Sequence, residues 1–310
     1  MIEFIQKTYD LSVKSFIKLT KKTYKIITDK NEYILKYVQD ARQETIFSLL
    51  SMLNEQIFLI PIKSLNNRFI ERYNELYLTI TKFVKDELQI NKDIRLHFYI
   101  KSIALLHKNT NYGVNVNDGF FDESLNYLEN KIIKCKSDLK SKIERIERLD
   151  FYSPSDWYFL MNYNIFMSSL NEATKYIELL DEEWNKKDTI NLCLTYQNFN
   201  YDHINVKYQK IVSLDNMVIA PCIYDLITIF DESYITRMDI KKVYNEYNSI
   251  NVLEKYEVYW LLGYLFIPEF NNDTNIKNDV SLQFDSLTKL NTIISLSNYL
   301  KELYINDESE

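Results

Sequence analysis

The sequence predicts an α+β protein, with an antiparallel sheet of five strands in the N-terminal part and a mainly helical C-terminal part. Two observations predict this division. The first 85 residues contain five short runs rich in aromatic and β-branched residues, which favour strands, and one run at helical spacing. From Asp93 onward, apolar residues recur mostly at helical spacing, after Lys85-Asp-Glu has interrupted the apolar pattern. We therefore expect four regions, bounded as follows: a sheet lobe at 1–85, a hinge at 86–92, a helical lobe at 93–305 and an acidic tail at 306–310.

The N-terminal elements follow one another as three strands, one helix and two strands. Turn-forming residues at 29–32 separate the second strand from the third. The helix carries Ile46, Leu49, Leu50 and Leu53 at helical spacing, and it is expected to be the only substantial helix of this part. The predicted strands are 15–20, 23–28, 32–38, 69–73 and 76–84, and the predicted helix is 41–54.

The C-terminal part is predicted to be helical except for one segment. Short apolar runs at 190–230 break the helical pattern. A long helix is expected to begin at Asp156, with Ser155 as its N-cap, and to run towards Trp184. The other predicted helices are 94–108, 124–149, 239–247, 253–266 and 282–304.

Composition and charge exclude several classes of protein. The net charge of −7 gives no overall attraction to nucleic acid or to an anionic membrane surface. No run of about 18 apolar residues predicts a membrane-spanning helix, and the N-terminus lacks the features of a signal peptide. Three cysteines without a Cys-x-x-Cys pair, and three histidines without metal-ligand spacing, indicate neither a disulfide framework nor a zinc site. We therefore expect a cytoplasmic protein that neither binds nucleic acid nor inserts into membranes.

Four short motifs stand in a fixed order along the chain. Lys36 lies in the third predicted strand as Tyr-Ile-Leu-Lys-Tyr, and Glu44 follows on the next helix as Arg-Gln-Glu-Thr-Ile-Phe. His107 ends the run Ile-Ala-Leu-Leu-His. The segment 192–226 contains Leu-Thr-Tyr-Gln-Asn-Phe-Asn-Tyr-Asp-His and ends on the Asp-Leu pair at Asp225.

This order of elements and motifs resembles the aminoglycoside and choline phosphotransferases and the related CotS-type spore-coat proteins, over essentially the whole chain. The resemblance implies the bilobal protein-kinase-like fold. It also implies that Lys36 holds the phosphates of a nucleotide and that Glu44 orients Lys36. In such proteins His107 and Asp225 would have structural roles, Asp225 by tethering the catalytic loop.

The catalytic loop departs from the His-Gly-Asp-x-x-x-x-Asn pattern of that family, and two registers stay open. With Cys193 as the anchor, Leu194 takes the histidine position and Tyr196 the aspartate position. With the downstream 204–206 as the anchor, Thr195 and Gln197 take those positions and Asp202 the metal-binding asparagine position. The second is preferred because it keeps the spacing of the motif. In both registers, no carboxylate stands where the acceptor hydroxyl would be oriented.

The metal-binding strand is altered as well. The position twelve residues before Asp225, where the family has its magnesium-binding aspartate, is Ser213. A serine hydroxyl is a poor substitute for a carboxylate in a magnesium shell. Asp215 lies two residues further on, and a reduced metal site would consist of Asp202 and Asp215.

These substitutions favour a kinase-like protein of the aminoglycoside-phosphotransferase or CotS type that is catalytically impaired and acts in binding or scaffolding. ATP and Mg²⁺ are the cofactors that the resemblance allows. The expected partner is a protein, or a small cationic or hydroxylated molecule; if the source sporulates, the resemblance implies association with the spore. Two alternatives stay open: an active ATP-dependent phosphotransferase acting on an alcohol group, with an atypical loop, and a helical interaction protein unrelated to kinases.

Overall fold

The computed structural model describes residues 1–39, 41–53, 56–85, 90–269 and 279–307. It confirms the α+β class, with a five-stranded antiparallel sheet near the N-terminus and a mostly helical remainder. By compactness the described chain forms two units, the first containing 1–110 and 193–220 and the second 111–192 and 221–310. The predicted lobe bounds stay a prediction. Residues 86–89 of the predicted hinge and 308–310 of the predicted tail lie outside the described residues.

The five strands of the first unit pair in the order β1-β2-β3-β5-β4, every neighbour antiparallel. Lys36 faces Thr23 on one side of the third strand and Thr79 on the other, so it lies in the middle of the sheet. The predicted strands are confirmed to within a few residues at each end. They are β1 (Val13–Lys18), β2 (Thr23–Thr28), β3 (Glu32–Val38), β4 (Glu71–Tyr73) and β5 (Leu76–Lys82).

The sheet is preceded by a short helix, α1 (Ile2–Tyr9), where the sequence analysis expected no substantial helix. Ile5 and Tyr9, four residues apart and therefore on one side of this helix, are buried in one cluster with residues of the sheet. The N-terminal ammonium donates to the hydroxyl of Tyr73 at 2.9 Å. These contacts explain why eight residues with little independent helical signal are held as a helix. The sheet residues of the cluster are Ile26, Leu35, Leu78 and Ile80.

The predicted helix between the third and fourth strands is α2 (Gln43–Leu53), and residue 54 of the prediction lies outside the described residues. It buries Ile46, Phe47 and Leu50, which recur at helical spacing. α3 (Lys92–Thr110) follows as the last helix of the first unit.

The helices of the second unit agree with the prediction at five positions and correct it at two. α6 (Ile223–Ile235) lies where the sequence was read as short apolar runs, and it buries Leu226, Ile229 and Phe230. The long helix α5 begins at Pro154, and its N-cap is Ser153, not Ser155, in a reciprocal capping box with Asp156. No helix in the described residues has the length and apolarity to cross a membrane. The remaining helices are α4 (Asp118–Glu147), α5 (Pro154–Trp184), α7 (Ile240–Asn248), α8 (Lys255–Leu265) and α9 (Asp279–Asp307).

One strand passes through both units. β6 (Tyr112–Asn115) pairs with the first four residues of β7 (Thr189–Thr195), within the second unit. In the first unit, the last three residues of β7 pair with β10 (Val218–Ala220). Between these lies a hairpin of β8 (Ile204–Asn205) and β9 (Lys210–Ile211). The loop that follows β7 therefore belongs to the same unit as the five-stranded sheet.

Candidate functional site

Lys36 and Asp215 form an ion pair in the first unit. The Lys36 Nζ donates to Asp215 Oδ1 at 2.6 Å, and the two side chains are 30% and 25% exposed. Lys36 alternates with the fully buried Leu35 on β3, which directs its side chain to the other face of the sheet. Asp215 lies in a single 3-10 turn, Leu214–Asn216. The predicted nucleotide lysine and one of the two predicted metal ligands thus neutralise each other.

Glu44 does not pair with Lys36, which corrects the expected ion pair. Its carboxylate accepts hydrogen bonds from two successive backbone amides, Phe69 N at 2.9 Å and Ile70 N at 2.7 Å. Glu44 therefore attaches the first turn of α2 to the segment that leads into β4. A carboxylate that receives two backbone N–H groups is well satisfied without a cation.

Gln43, which the sequence analysis passed over, makes the contact between α2 and the Asp215 segment. Its Nε2 donates to the carbonyl oxygens of Asp215 at 2.9 Å and Met217 at 3.0 Å. Because two backbone carbonyls can only accept, the amide nitrogen must face them. Gln43 thereby fixes the turn that carries Asp215. Its position directly before Glu44 was the available signal, since neighbouring helical residues point about 100° apart.

The residues assigned to a magnesium site do not fit that ion. Ser213 has left-handed backbone angles (φ 62°, ψ 57°), and its carbonyl accepts from Asn198 Nδ2 at 2.8 Å. Asp202 is exposed in the 3-10 turn Tyr201–His203, while Asp215 is engaged by Lys36. In the part of the chain that the structure describes, no group of three or more His, Cys, Asp or Glu side chains could hold a metal. Mg²⁺ prefers several oxygen ligands, usually with one or two carboxylates among them.

The residues at the catalytic-loop positions differ in exposure. Thr195 is fully buried at the end of β7 and donates to the carbonyl of Val218 at 3.0 Å. Gln197 is exposed, adopts a positive φ of 48°, and its Nε2 donates to Thr195 Oγ1 at 3.0 Å. Leu194 and Tyr196, which take the histidine and aspartate positions in the other register, are both buried.

A buried hydrogen-bond network joins the loop to the strand before Asp215. The Tyr196 hydroxyl donates to the carbonyl of Val212 at 2.7 Å and lies 3.1 Å from His203 Nδ1. His203 Nδ1 is also 3.0 Å from the carbonyl of Asn198. Burial lowers the pKa of His203, and the positive charge of Lys36 lowers that pKa further.

Arg95, on α3, supports the loop from beneath. It is 5% exposed, and its Nη1 donates to the carbonyls of Tyr201 at 2.6 Å and Ile204 at 3.1 Å. Tyr99 of the same helix meets Phe199 and Tyr196 edge to face. A buried guanidinium needs such acceptors, so the loop backbone and Arg95 stabilise each other.

The two residues expected to be structural are both buried. His107 is fully buried on α3, and Asp225 is 1% exposed in the first turn of α6. They belong to different units, His107 to the first and Asp225 to the second. Their proposed roles stay predictions.

Comparison with known proteins gives a likeness of fold. No protein-family model matches the sequence, and no curated protein matches it. An aminoglycoside phosphotransferase from Alicyclobacillus acidocaldarius subsp. acidocaldarius DSM 446 matches with a TM-score of 0.72 at 12% identity, over 96% of this chain and 94% of the other. Spectinomycin phosphotransferase APH(9)-Ia matches in its AMP complex with a TM-score of 0.52 at 14% identity, over 94% and 92%. Its complex with ADP and spectinomycin gives a TM-score of 0.50 at 14% identity, over 94% and 92%.

These matches extend over nearly the whole length of both partners, so they concern the complete arrangement of elements and not one shared motif. They contradict the alternative of a helical protein unrelated to kinases. The chain therefore has the protein-kinase-like fold of the aminoglycoside phosphotransferases.

Proposed function

We propose that this protein binds a ligand in the manner of a kinase-fold phosphotransferase but transfers phosphoryl groups slowly or not at all. The observation that carries this proposal is the direct ion pair of Lys36 with Asp215, at 2.6 Å. A lysine that is already neutralised by a carboxylate attracts a polyphosphate less strongly, and a carboxylate that is held by a lysine is a weaker metal ligand.

The neutral residues of the loop support the same proposal. Phosphoryl transfer depends on positioning the reactants and on neutralising the charge that develops between them. In the preferred register, Gln197 stands at the aspartate position, and an amide does not accept a proton at neutral pH. That register is supported by the exposure of Gln197, because the other register would require the buried Tyr196 to meet a substrate.

The ligand that we propose is a small hydroxylated or cationic molecule, with a protein partner as the scaffolding form of the same function. Spectinomycin phosphotransferase, which is similar in fold, is known in complex with ADP and spectinomycin. An association with spores, which the resemblance to CotS-type proteins implies for a sporulating source, stays a prediction.

A second candidate is an active ATP-dependent phosphotransferase that acts on an alcohol group. The whole-chain likeness to an aminoglycoside phosphotransferase supports it. In that case Lys36, Asp202 and Asp215 would serve the nucleotide and metal, and Gln197 would orient the acceptor hydroxyl.

Turnover of ATP with Mg²⁺, in the presence of hydroxylated acceptors such as spectinomycin and choline, separates the two candidates. We expect no turnover above that of a Lys36→Ala variant. Robust turnover that Lys36→Ala abolishes would establish the second candidate in place of the first.

A binding experiment tests the ion pair itself. We expect ATP to bind weakly or not at all to the unmodified protein in the presence of a chelator. Asp215→Asn should then strengthen binding by about tenfold or more, because it releases Lys36 and removes a negative charge. Isothermal titration measures both affinities.

The matched control is Asp29→Asn, which removes the same charge from an exposed pair with Lys14 in the same unit. It should leave the affinity for ATP unchanged. Weaker binding by Asp215→Asn than by the unmodified protein would show that Asp215 assists the nucleotide, and would contradict the proposal.

A further inference from the structure

The contacts of His203 fix which of its ring nitrogens carries the proton. His203 Nδ1 lies 3.0 Å from the carbonyl oxygen of Asn198, and a carbonyl oxygen can only accept. The second neighbour of Nδ1 is the hydroxyl oxygen of Tyr196, at 3.1 Å, and that hydroxyl donates its own hydrogen to Val212. Both neighbours thus require an N–H group at Nδ1, and neutral His203 has its lone pair on Nε2.

No hydrogen-bond partner for His203 Nε2 occurs among the described residues, although the ring is partly buried. The charged groups that act on this ring are Lys36 from β3, Asp215 from the 3-10 turn after β9, and Asp202 from its own turn. Burial and Lys36 lower the pKa of His203 from its ordinary 6.5, whereas the two carboxylates oppose this. The imidazole is therefore neutral at pH 7, with a basic nitrogen beside the Lys36–Asp215 pair.

We propose that His203 Nε2 is the group that accepts the hydrogen bond from a ligand hydroxyl in the first unit. This inference rests on the proposed binding function and adds a positioning residue to it. An imidazole nitrogen provides the acceptor that neither Gln197 as an ionised base nor Asp215 as a free carboxylate supplies. It also makes selectivity depend on pH: neutral Nε2 accepts from hydroxyl donors, while protonated Nε2 becomes a donor to anions.

NMR of ¹⁵N-histidine-labelled protein tests this directly, because the chain has only three histidines. His97 is exposed and His107 fully buried, so both serve as internal references. The probes are choline and its O-methyl ether, which lacks the hydroxyl hydrogen, with inorganic phosphate as the anion.

At about pH 7.5, choline should shift the Nε2 resonance of His203 while the ether leaves it in place. At about pH 5, the affinity for choline should fall by about tenfold or more, and phosphate should now produce the shift. A resonance that shows the proton on Nε2 at neutral pH, equal shifts by choline and its ether, or no shift by any probe would each overturn the proposal.

Two variants separate an acceptor role from a structural one. His203→Gln retains an acceptor that does not titrate, so it should bind choline equally at both pH values, as followed by isothermal titration. His203→Leu should lose binding at both. A His203→Gln variant that keeps the pH dependence would overturn the proposal. Robust ATP turnover by the unmodified protein would overturn the proposed function instead, and would leave the NMR result to stand by itself.

Discussion

The first unit keeps its charges in a half-buried pair, whereas the second unit buries a carboxyl group among mostly neutral donors. Lys36 and Asp215 meet at 2.6 Å with 30% and 25% of their side chains exposed. Glu257, in the first turn of α8, is 4% exposed and accepts from the backbone N–H of Glu254 at 2.8 Å and from the Cys222 thiol at 3.5 Å. Lys187, the nearby cation, pairs with Glu254 instead.

The comparison shows that a perturbed carboxyl group is not by itself a sign of a functional site in this protein. Burial raises the pKa of Glu257 to about 7. The residue belongs to a capping box with Glu254, so its position is explained by the start of a helix. At the candidate site, by contrast, the informative features are the partners that each side chain contacts.

The largest expected effect is on the pH dependence of stability through Glu257. Its pKa is raised in the folded state from 4.5 to about 7, so its stabilising contribution is complete below about pH 4.5 and is lost as the pH rises through 7. Relative to Glu257→Gln, the unmodified protein should lose about 3 kcal/mol over this range, at about 1.4 kcal/mol per pKa unit. Urea unfolding at a series of pH values measures this difference.

Glu178→Gln, an exposed glutamate on α5, provides the control and should run parallel to the unmodified protein. Parallel curves for Glu257→Gln as well would mean that Glu257 is ionised in the fold, and the contrast between the two units would disappear.

A smaller effect is expected from Glu44, which tests whether this carboxylate is structural. Glu44→Ala leaves the amides of Phe69 and Ile70 without their acceptor and should lower the free energy of unfolding by about 2 kcal/mol. Glu44→Gln keeps one acceptor oxygen and should cost less. The exposed Glu75 of the same unit, changed to Ala, is the control. If Glu44→Ala weakened ATP binding without loss of stability, the nucleotide role first expected for Glu44 would be restored.

The smallest effect concerns the Lys36–Asp215 pair as a contribution to stability. A double-mutant cycle of Lys36→Met and Asp215→Asn should give a coupling of about 1 kcal/mol or less, since partly exposed ion pairs contribute little. The same cycle at Lys14 and Asp29, which are exposed, should give a coupling near zero. A coupling of several kcal/mol would place the pair with buried networks such as that of Glu257, and its function would then be structural.

The sequence predicted the sheet well because each strand carries its own local signal of aromatic and β-branched residues. α1 was missed because only Ile5 and Tyr9 of its eight residues are buried, too few to establish a periodicity. α6 was missed although Leu226, Ile229 and Phe230 have helical spacing, since the apolar runs before Asp225 had been read as strand-like. The N-cap of α5 was misplaced by two residues, where Pro154 at the first helical position marked Ser153 as the cap.

The candidate site was predicted in its members but not in its pairings. Lys36, Asp215, Thr195 and Gln197 all lie in the first unit, and their proposed roles stay predictions. The partner of Lys36 lies 179 residues away along the chain, and no local pattern indicates such a contact. The side on which α2 presents Gln43 rather than Glu44 depends on about 100° of rotation, which a helix boundary uncertain by one residue does not fix.

The interleaving of the units along the chain has a consequence for synthesis. The first unit is assembled from 1–110 and 193–220, so the sheet leaves the ribosome long before the turn that completes it. At about 5–20 residues per second, the 179 residues between Lys36 and Asp215 take about 10–40 seconds to translate. During that interval the nascent sheet presents an uncompensated lysine, and a fragment that ends at residue 110 would remain in this incomplete form permanently.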